Sequence, residues 1–379
     1  LRKGQQIDVP GIDASADRLF KTGALANIAY SLRMTGANIE VQFKLTEASK
    51  FFPCTYDNFV WFPDQQLTAA VRRTVPLFDG SIPVGGELAN QVTDALEHFL
   101  QEHSIKTSVT ALMASRKMGE APSFYQLRVA DISIPVAAVN VKGGPLGPAA
   151  LANATRVLAG TDYSRYVATG AGQNGFTDAY ADEGYLQAKF SDPQIVMKDP
   201  QGHDASRGVT ILYDVVPGPL YNWNGITWSG NQAVPEADLT ELLGFKPGDI
   251  ARRDRLNEGL ESIHKRYGKD GYLALQIVDT PEFDAAQHQV HYQAKIVEGP
   301  QYRMGAFTAT GVTEIVANKL KEAWKLRPGQ VFDTSYENTF ATKDMLQVMR
   351  PSVESRFTLT FHRKIDPQTH VVDVELEIK

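Results

Sequence analysis

The stretch Trp223-Asn224-Gly225-Ile226-Thr227-Trp228-Ser229-Gly230-Asn231 opens the segment whose reading decides the fold, and Glu298-Gly299-Pro300 closes it. The opening is aromatic and alternating, which reads as a strand running into a turn. Two helical patterns follow: Leu239, Leu242 and Leu243 share one face, and Leu256, Leu260, Ile263 and Tyr267 recur at steps of four, three and four. Phe245-Lys246-Pro247-Gly248-Asp249 punctuates the two helices. After Gly271-Tyr272 the period drops to two, through Leu273, Leu275 and Ile277 and then Val290, Tyr292, Ala294 and Ile296. The order is strand, helix, helix, strand, strand. Trp223 and Trp228 stand at odd and even positions of the first strand, so plain alternation turns at most one of them into a core.

Outward from this segment the unit recurs with a period near eighty residues. Lys21-Thr22-Gly23-Ala24-Leu25-Ala26 matches Lys269-Asp270-Gly271-Tyr272-Leu273-Ala274, and Leu1-Arg2-Lys3-Gly4-Gln5 matches Leu326-Arg327-Pro328-Gly329-Gln330. The chain is therefore expected to start inside a unit lacking its first strand and helix. That leaves a helix with Leu19 and Phe20, a strand over 28–32, a turn at Thr35-Gly36-Ala37-Asn38, and a strand with Ile39, Val41, Phe43 and Leu45. A second unit is expected to begin near Thr55 with Phe59 and Trp61, and its second helix carries Leu88, Val92, Leu96 and Phe99. In it His103-Ser104-Ile105 stands where Gly-Tyr is expected. A third aligns through Gly184-Tyr185, with a longer hairpin loop over 191–207, and a fifth repeats the Pro-Gly linker at Pro328-Gly329. Its hairpin is expected to carry Phe357, Leu359 and Phe361 with Val372, Val374 and Leu376, and Lys379 is expected to close that unit. The expected boundaries are 1–50, 51–135, 136–219, 220–300 and 301–379.

Composition excludes several classes. The 379 residues are 43% apolar and 22% charged, ordinary for a folded chain, and a net charge of −6 gives no electrostatic case for nucleic acid. One cysteine, Cys54, cannot close an intrachain disulfide. The longest apolar run, 132–141, contains Pro135 and falls short of the ~20 residues of a spanning helix. Leu1-Arg2-Lys3-Gly4 is not a secretory signal, since no apolar stretch follows; a signal can have been removed beforehand.

These residues resemble POTRA domains, the polypeptide-transport-associated modules of the outer-membrane barrel assembly and surface antigen family. The resemblance rests on Pro247-Gly248-Asp249, on the Leu256 to Tyr267 helix running into Gly271-Tyr272, and on the hairpin ending Val297-Glu298-Gly299-Pro300. It implies an α+β fold: a tandem array of β-α-α-β-β units, each a three-stranded mixed sheet covered on one face by two helices. The first strand would lie beside the third and the second strand at an edge. A periplasmic, cell-envelope location is also implied, and an outer-membrane barrel beyond Lys379 is compatible with it.

Motifs that carry chemistry elsewhere lack their context. Gly170-Ala171-Gly172-Gln173-Asn174-Gly175 matches the dinucleotide fingerprint, but its register puts it inside a second helix rather than after a strand, where the glycines would break or shorten that helix. Gly143-Gly144-Pro145-Leu146-Gly147 follows a strand without the Lys-Ser or Lys-Thr of a phosphate loop, and reads as a strand-to-helix turn like Ser229-Gly230-Asn231. His98 and His103 are five apart on a helix, about 140° around it, so they do not chelate together and are expected to face solvent. His288 and His291 fall on opposite faces of a hairpin strand. Neither a catalytic group, nor a metal, nor a cofactor is expected.

Function is expected at exposed sheet edges, whose unpaired N–H and C=O groups accept an added strand. By the family analogy these edges are 273–278, 186–190 and 28–32, and the candidate partner-binding residues are Ile28, Tyr30, Leu186, Ala188, Leu273, Leu275, Gln276 and Ile277. The partners so implied are unfolded or extended polypeptide clients, or subunits of an assembly machinery. The alternative is a free-standing structural protein of the cell envelope that engages no client.

Overall fold

Alternation and helical spacing resolve into sixteen strands and eleven α-helices in a computed structural model that describes residues 6, 8–36, 38–115, 119–144, 146–199, 204–349 and 358–379. Packing divides the chain into two compact units, Leu1–Thr177 with Lys189–Val216, and Asp178–Ala188 with Pro217–Lys379.

At the start, α1 (Val9–Lys21) is capped by Asp8, whose carboxylate accepts from the Gly11 amide at 3.0 Å. β1 (Leu25–Thr35) and β2 (Asn38–Glu47) form an antiparallel hairpin. Its cross-strand pairs Ile28–Leu45, Tyr30–Phe43, Leu32–Val41 and Met34–Ile39 put eight apolar side chains on one face. Leu32, Met34, Ile39 and Leu45 remain exposed; among the described residues β1 and β2 pair only with each other.

β3 (Phe51–Tyr56), α2 (Asp64–Thr74), β4 (Ser81–Pro83), α3 (Leu88–Glu102), β5 (Val109–Ala114) and β6 (Phe124–Val129) form the next sheet, ordered β4-β3-β6-β5. The strand thus starts before the expected Thr55, and Phe59 and Trp61 lie in the connection to α2. β7 (Val136–Lys142), α4 (Pro148–Thr155), α5 (Arg165–Gly170), α6 (Thr177–Asp182), β8 (Lys189–Phe190), β9 (Gln194–Met197) and β10 (Val209–Val216) follow. β7 runs parallel to β10, while β8 and β9 pair antiparallel with β10. Ser191-Asp192-Pro193 interrupts that second strand, so part of the expected loop is strand.

β11 (Asn222–Ser229), α7 (Glu236–Leu243), α8 (Arg253–Lys269), β12 (Gln276–Asp284) and β13 (Gln289–Val297) make a three-stranded sheet ordered β11-β13-β12. β14 (Arg303–Thr310), α9 (Glu314–Ala323), α10 (Tyr336–Thr339), α11 (Met345–Met349), β15 (Leu359–Asp366) and β16 (Val371–Ile378) repeat it as β14-β16-β15. Phe357, expected in that hairpin, lies outside the described residues. In each complete unit the first strand runs parallel to the last and the second antiparallel to it, which is the implied POTRA topology. The fourth strand β4 is the interhelical linker itself. Elsewhere the same linker touches the first strand through single bridges, Asn222–Ile250 and Arg303–Val331.

Trp223 and Trp228 are both buried, at 4% and 6% exposure, against the expectation of one. The ladder explains it: Trp223 faces Val290 and Gly225 faces His291, so Asn224 is an extra residue, and the bulge restores both tryptophans to the same face. The same device recurs between Met304 and Phe307 and opposite Val209–Thr210. Trp223 stacks on Phe245 at 4.4 Å between centroids, and the Arg255 guanidinium covers the other ring at 4.6 Å. Arg255 also bonds Asp249 of the Pro-Gly-Asp linker at 3.0 Å, which ties the linker to the core. Leu256, Ile263 and Tyr267 of α8 complete that core, each fully buried aliphatic contributing roughly 1.5–3 kcal/mol.

The fingerprint glycines neither break nor shorten their helix. α5 and α6 are joined without interruption by a π turn, Ala171–Phe176, and Phe176 and Tyr180 are fully buried. Wider winding absorbs one residue where helix-breaking was expected. A second π turn, Phe340–Asp344, joins α10 to α11.

Candidate functional site: the open sheet edges

Every sheet ends on the strand that corresponds to the second of the unit: β5, β8 with β9, β12 and β15, and β1 in the opening hairpin. Among the described residues no other strand pairs with their outer sides. These edges present backbone donors and acceptors, and their side chains decide whether a guest strand is welcome.

The eight candidate residues do not share one environment. Ile28 and Tyr30 lie on β1, facing Leu45 and Phe43, and the Tyr30 hydroxyl donates to Asp13 at 2.6 Å. Gln276 and Ile277 begin β12, opposite Val297 and Ile296. Leu273 and Leu275 precede that strand: Leu275 is buried in the Trp223 core and Leu273 packs on the Tyr302 core. Leu186 and Ala188 likewise precede β8, and Leu186 packs against the Trp223 core. Two of the three predicted edges, 273–278 and 186–190, therefore begin too early, whereas 28–32 lies inside β1. Alternating leucines that look like strand are anchors of the turn.

That turn has a physical basis. Gly271 sits at φ 82°, its amide donates to Gly268 and the Tyr272 amide to Tyr267, and the Tyr267 and Tyr272 rings meet edge to face. This is a Schellman cap with its apolar contact, and it fixes where the edge strand starts. Gly184-Tyr185 repeats it on Tyr180. Glu298 then accepts from the Gln232 and Ala233 amides at 2.7 and 2.8 Å and from the Tyr267 hydroxyl at 2.9 Å, joining the strand-to-helix turn to the hairpin's end.

Charge distinguishes the edges. On β12, Asp279 points inward to Arg253 at 2.6 Å and Pro281 lacks an N–H. On β15, Arg363 points inward and forms a bidentate pair with Glu337 at 2.7 Å, beside His362 and Lys364. Inward charges and proline are the usual guards of an exposed edge. β5, by contrast, contains Val109, Thr110, Ala111, Leu112, Met113 and Ala114, without charge or proline, and Leu112 and Met113 are exposed at 54% and 51%. The lack of charge and proline over 109–114 is legible in the residues; that Asp279 and Arg363 point inward on the other edges is not.

His98 pairs with Glu102 at 3.3 Å on the exposed side of α3, whereas His103, expected in solvent, is half-buried against Phe62 and Phe99. His291 bonds Thr227 at 2.8 Å across the sheet. Cys54 is half-buried on β3, and burial pushes its thiol up to about 12. Among the described residues no three His, Cys, Asp or Glu gather as metal ligands, and no helix is long and apolar enough to cross a membrane.

Sheet order, linker and cap together define a class: the fold is that of tandem POTRA domains. Residues 221–299 match the POTRA family, described as "Surface antigen variable number repeat". The chain is 26% identical over 157 residues to a putative outer membrane protein assembly factor of Treponema pallidum, covering 41% of this chain and 18% of that protein. It is likewise 26% identical over 160 residues to the outer membrane protein assembly factor BamA of Neisseria meningitidis serogroup B, covering 42% of this chain and 19% of that one. The chain thus spans about a fifth of the length of these relatives. Among solved structures, POTRA domains 3–5 of BamA from Haemophilus influenzae align with a TM-score of 0.46 at 18% identity, covering 65% of this chain and 97% of that one.

Proposed function

We propose that this chain is a non-enzymatic polypeptide-binding and scaffolding array of the periplasm, acting in outer-membrane protein assembly or translocation. In this reading it comprises a partial unit over 1–50 and four complete POTRA units over 51–135, 136–219, 220–300 and 301–379. The observation that carries it is the series of sheets, each ending on an open second strand. Relatives named as outer membrane protein assembly factors support the setting. Main-chain pairing at such edges gives broad recognition of extended chain with little sequence preference. The client is then an unfolded or extended polypeptide, or a subunit of the assembly machinery.

The free-standing scaffold is the second reading, and the guarding of β12 by Asp279 and Pro281 favours it at that edge. A photo-crosslinking residue placed in turn on each open edge, Gln276 included, and challenged with an unfolded barrel-protein peptide separates the two. Crosslinking with hydrogen-exchange protection of an edge strand is expected; no crosslink at any edge and no protection would sink the client-binding reading.

A further inference from the structure

Resting on that reading, we propose that β5 is the edge at which an extended, uncharged segment docks, with one apolar side chain seated in the recess beside it. Several observations converge on this strand. Its outer hydrogen-bonding row can be assigned: the Ala130 amide donates to Ser108 at 2.9 Å, so Ser108 and the even positions after it face β6. The odd positions face outward, and Val109 shows it, because its amide is taken by the Glu97 carboxylate at 2.7 Å. Ala111 and Met113 follow on the same side.

Beside them lies a recess of about 320 Å³ lined by Met113, Ala114, Pro122, Phe124, Gln126 and Tyr166. Ala114 and Phe124 are direct cross-strand partners, as are Leu112 and Gln126, so these four share one face of the sheet. A guest strand laid along β5 would place alternate side chains next to Leu112 and Ala114, within reach of that recess. Residues 109–114 and those named in the recess carry no charge, and the one carboxylate at this edge, Glu97, is already engaged by the Val109 amide, so a charged guest residue beside Leu112 and Ala114 would be desolvated without a partner. This selects an uncharged, apolar segment. The other edges differ: β12 has Pro281 and Asp279, β15 has Arg363 and Lys364, and β8 and β9 are split at Pro193.

The test places a photo-crosslinker at Leu112, and separately at Gln276 and Ala29, and offers an unfolded barrel-protein peptide to the full chain. A crosslink at Leu112, with slowed exchange at Ala111 and Met113, is expected. Ala111→Pro removes an outward N–H and leaves the β6 ladder intact, so the crosslink should fall roughly fivefold, as loss of one net hydrogen bond predicts. If that variant fails to fold by circular dichroism, Gln126→Glu, which puts a charge into the recess, should produce a similar loss. Crosslinking at Gln276 or Ala29 but not at Leu112 overturns the assignment of β5 and leaves the polypeptide-binding reading standing. Crosslinking at none of the three, without protection of any edge, overturns both, and a Leu112 crosslink unmoved by Gln126→Glu overturns the role of the recess.

Discussion

Ser104 takes the place of Gly271: both are left-handed, at φ 65° and 82°, and the residue after each donates its amide five residues back, Ile105 to Leu100 and Tyr272 to Tyr267. The cap is thus retained in the second unit without its glycine. A non-glycine residue in this region costs roughly 1–2 kcal/mol, partly offset because serine loses less backbone freedom than glycine on folding. Ser104→Gly is therefore expected to stabilise the end of α3 by roughly 0.5–1 kcal/mol. Gly271→Ala should do the reverse and cost more, because a Cβ there would lie 2.7 Å from the Tyr302 carbonyl oxygen. Native-state hydrogen exchange at Ile105 and Tyr272 measures both, since a multi-unit chain has no single unfolding free energy.

The bulge at Asn224 makes a second prediction. With both tryptophans buried, Trp223→Ala and Trp228→Ala should each cost about 3–5 kcal/mol. Strict alternation would make one of them nearly neutral. Trp228→Phe keeps most of the volume but loses the indole bond to Thr240 at 3.0 Å, and should cost about 1 kcal/mol. Deletion of Asn224 is the sharper variant, because it removes the extra residue and drives Trp223 out of the core. Exchange protection of α8 amides, which rest on that core, reads all four.

Asp57 and Tyr166 tie the second unit to the third. The Asp57 carboxylate is buried and accepts from the Ser164 hydroxyl at 2.9 Å and the Tyr166 amide at 3.0 Å, with Arg128 at 3.5 Å from its second oxygen. Asp57→Ala would leave the Ser164 hydroxyl and the Tyr166 amide without their acceptor and remove the buried carboxylate that faces Arg128, for a loss of about 3–5 kcal/mol. Asp57→Asn keeps one acceptor oxygen but turns an amide donor towards Arg128, and should fall between. The readout is exchange at the Tyr166 amide and susceptibility to proteolysis between the two units.

The repeat was legible because its marks are backbone necessities. A glycine before an aromatic is a helix cap, and a Pro-Gly between apolar helices is a linker whose Gly248 amide bonds the Trp223 carbonyl at 2.8 Å. What was hidden depended on conformation that residue type does not announce. Serine gives no notice of a left-handed φ, so the cap at Ser104 could not be read. Leu273 and Leu275 alternate like strand residues, yet their side chains anchor the turn to neighbouring cores, and the strand waits until Gln276. One signal was available: Gly225 inside an aromatic strand marks a bulge, and with it the burial of both tryptophans follows. That 109–114 hold neither charge nor proline was legible too; that Asp279 and Arg363 turn inward to guard the other edges was not, because the direction of a side chain depends on the register of its strand.

Alkaline pH offers the last prediction. Burial, reinforced by the Asp79 charge, pushes the Cys54 thiol from an ordinary value of 9.0 up to about 12, and burial also pushes the Tyr56 and Tyr163 hydroxyls up to about 12. Each group stays protonated in the folded chain while the unfolded chain loses its proton near the ordinary value. The unfolded state therefore binds fewer protons, and stability falls as pH rises. The sign is that of a raised folded value: the contribution is complete below pH 9 and is lost progressively towards pH 12. Urea midpoints followed by exchange of β3 and β6 amides should decline between these limits, and Cys54→Ala should make the decline shallower by removing one titrating group. In the native chain iodoacetamide should leave Cys54 unmodified at pH 8, and in urea it should alkylate it fully, because the thiolate is the nucleophile. Rapid alkylation of the folded chain at pH 8 would show a lowered thiol and a different environment for β3.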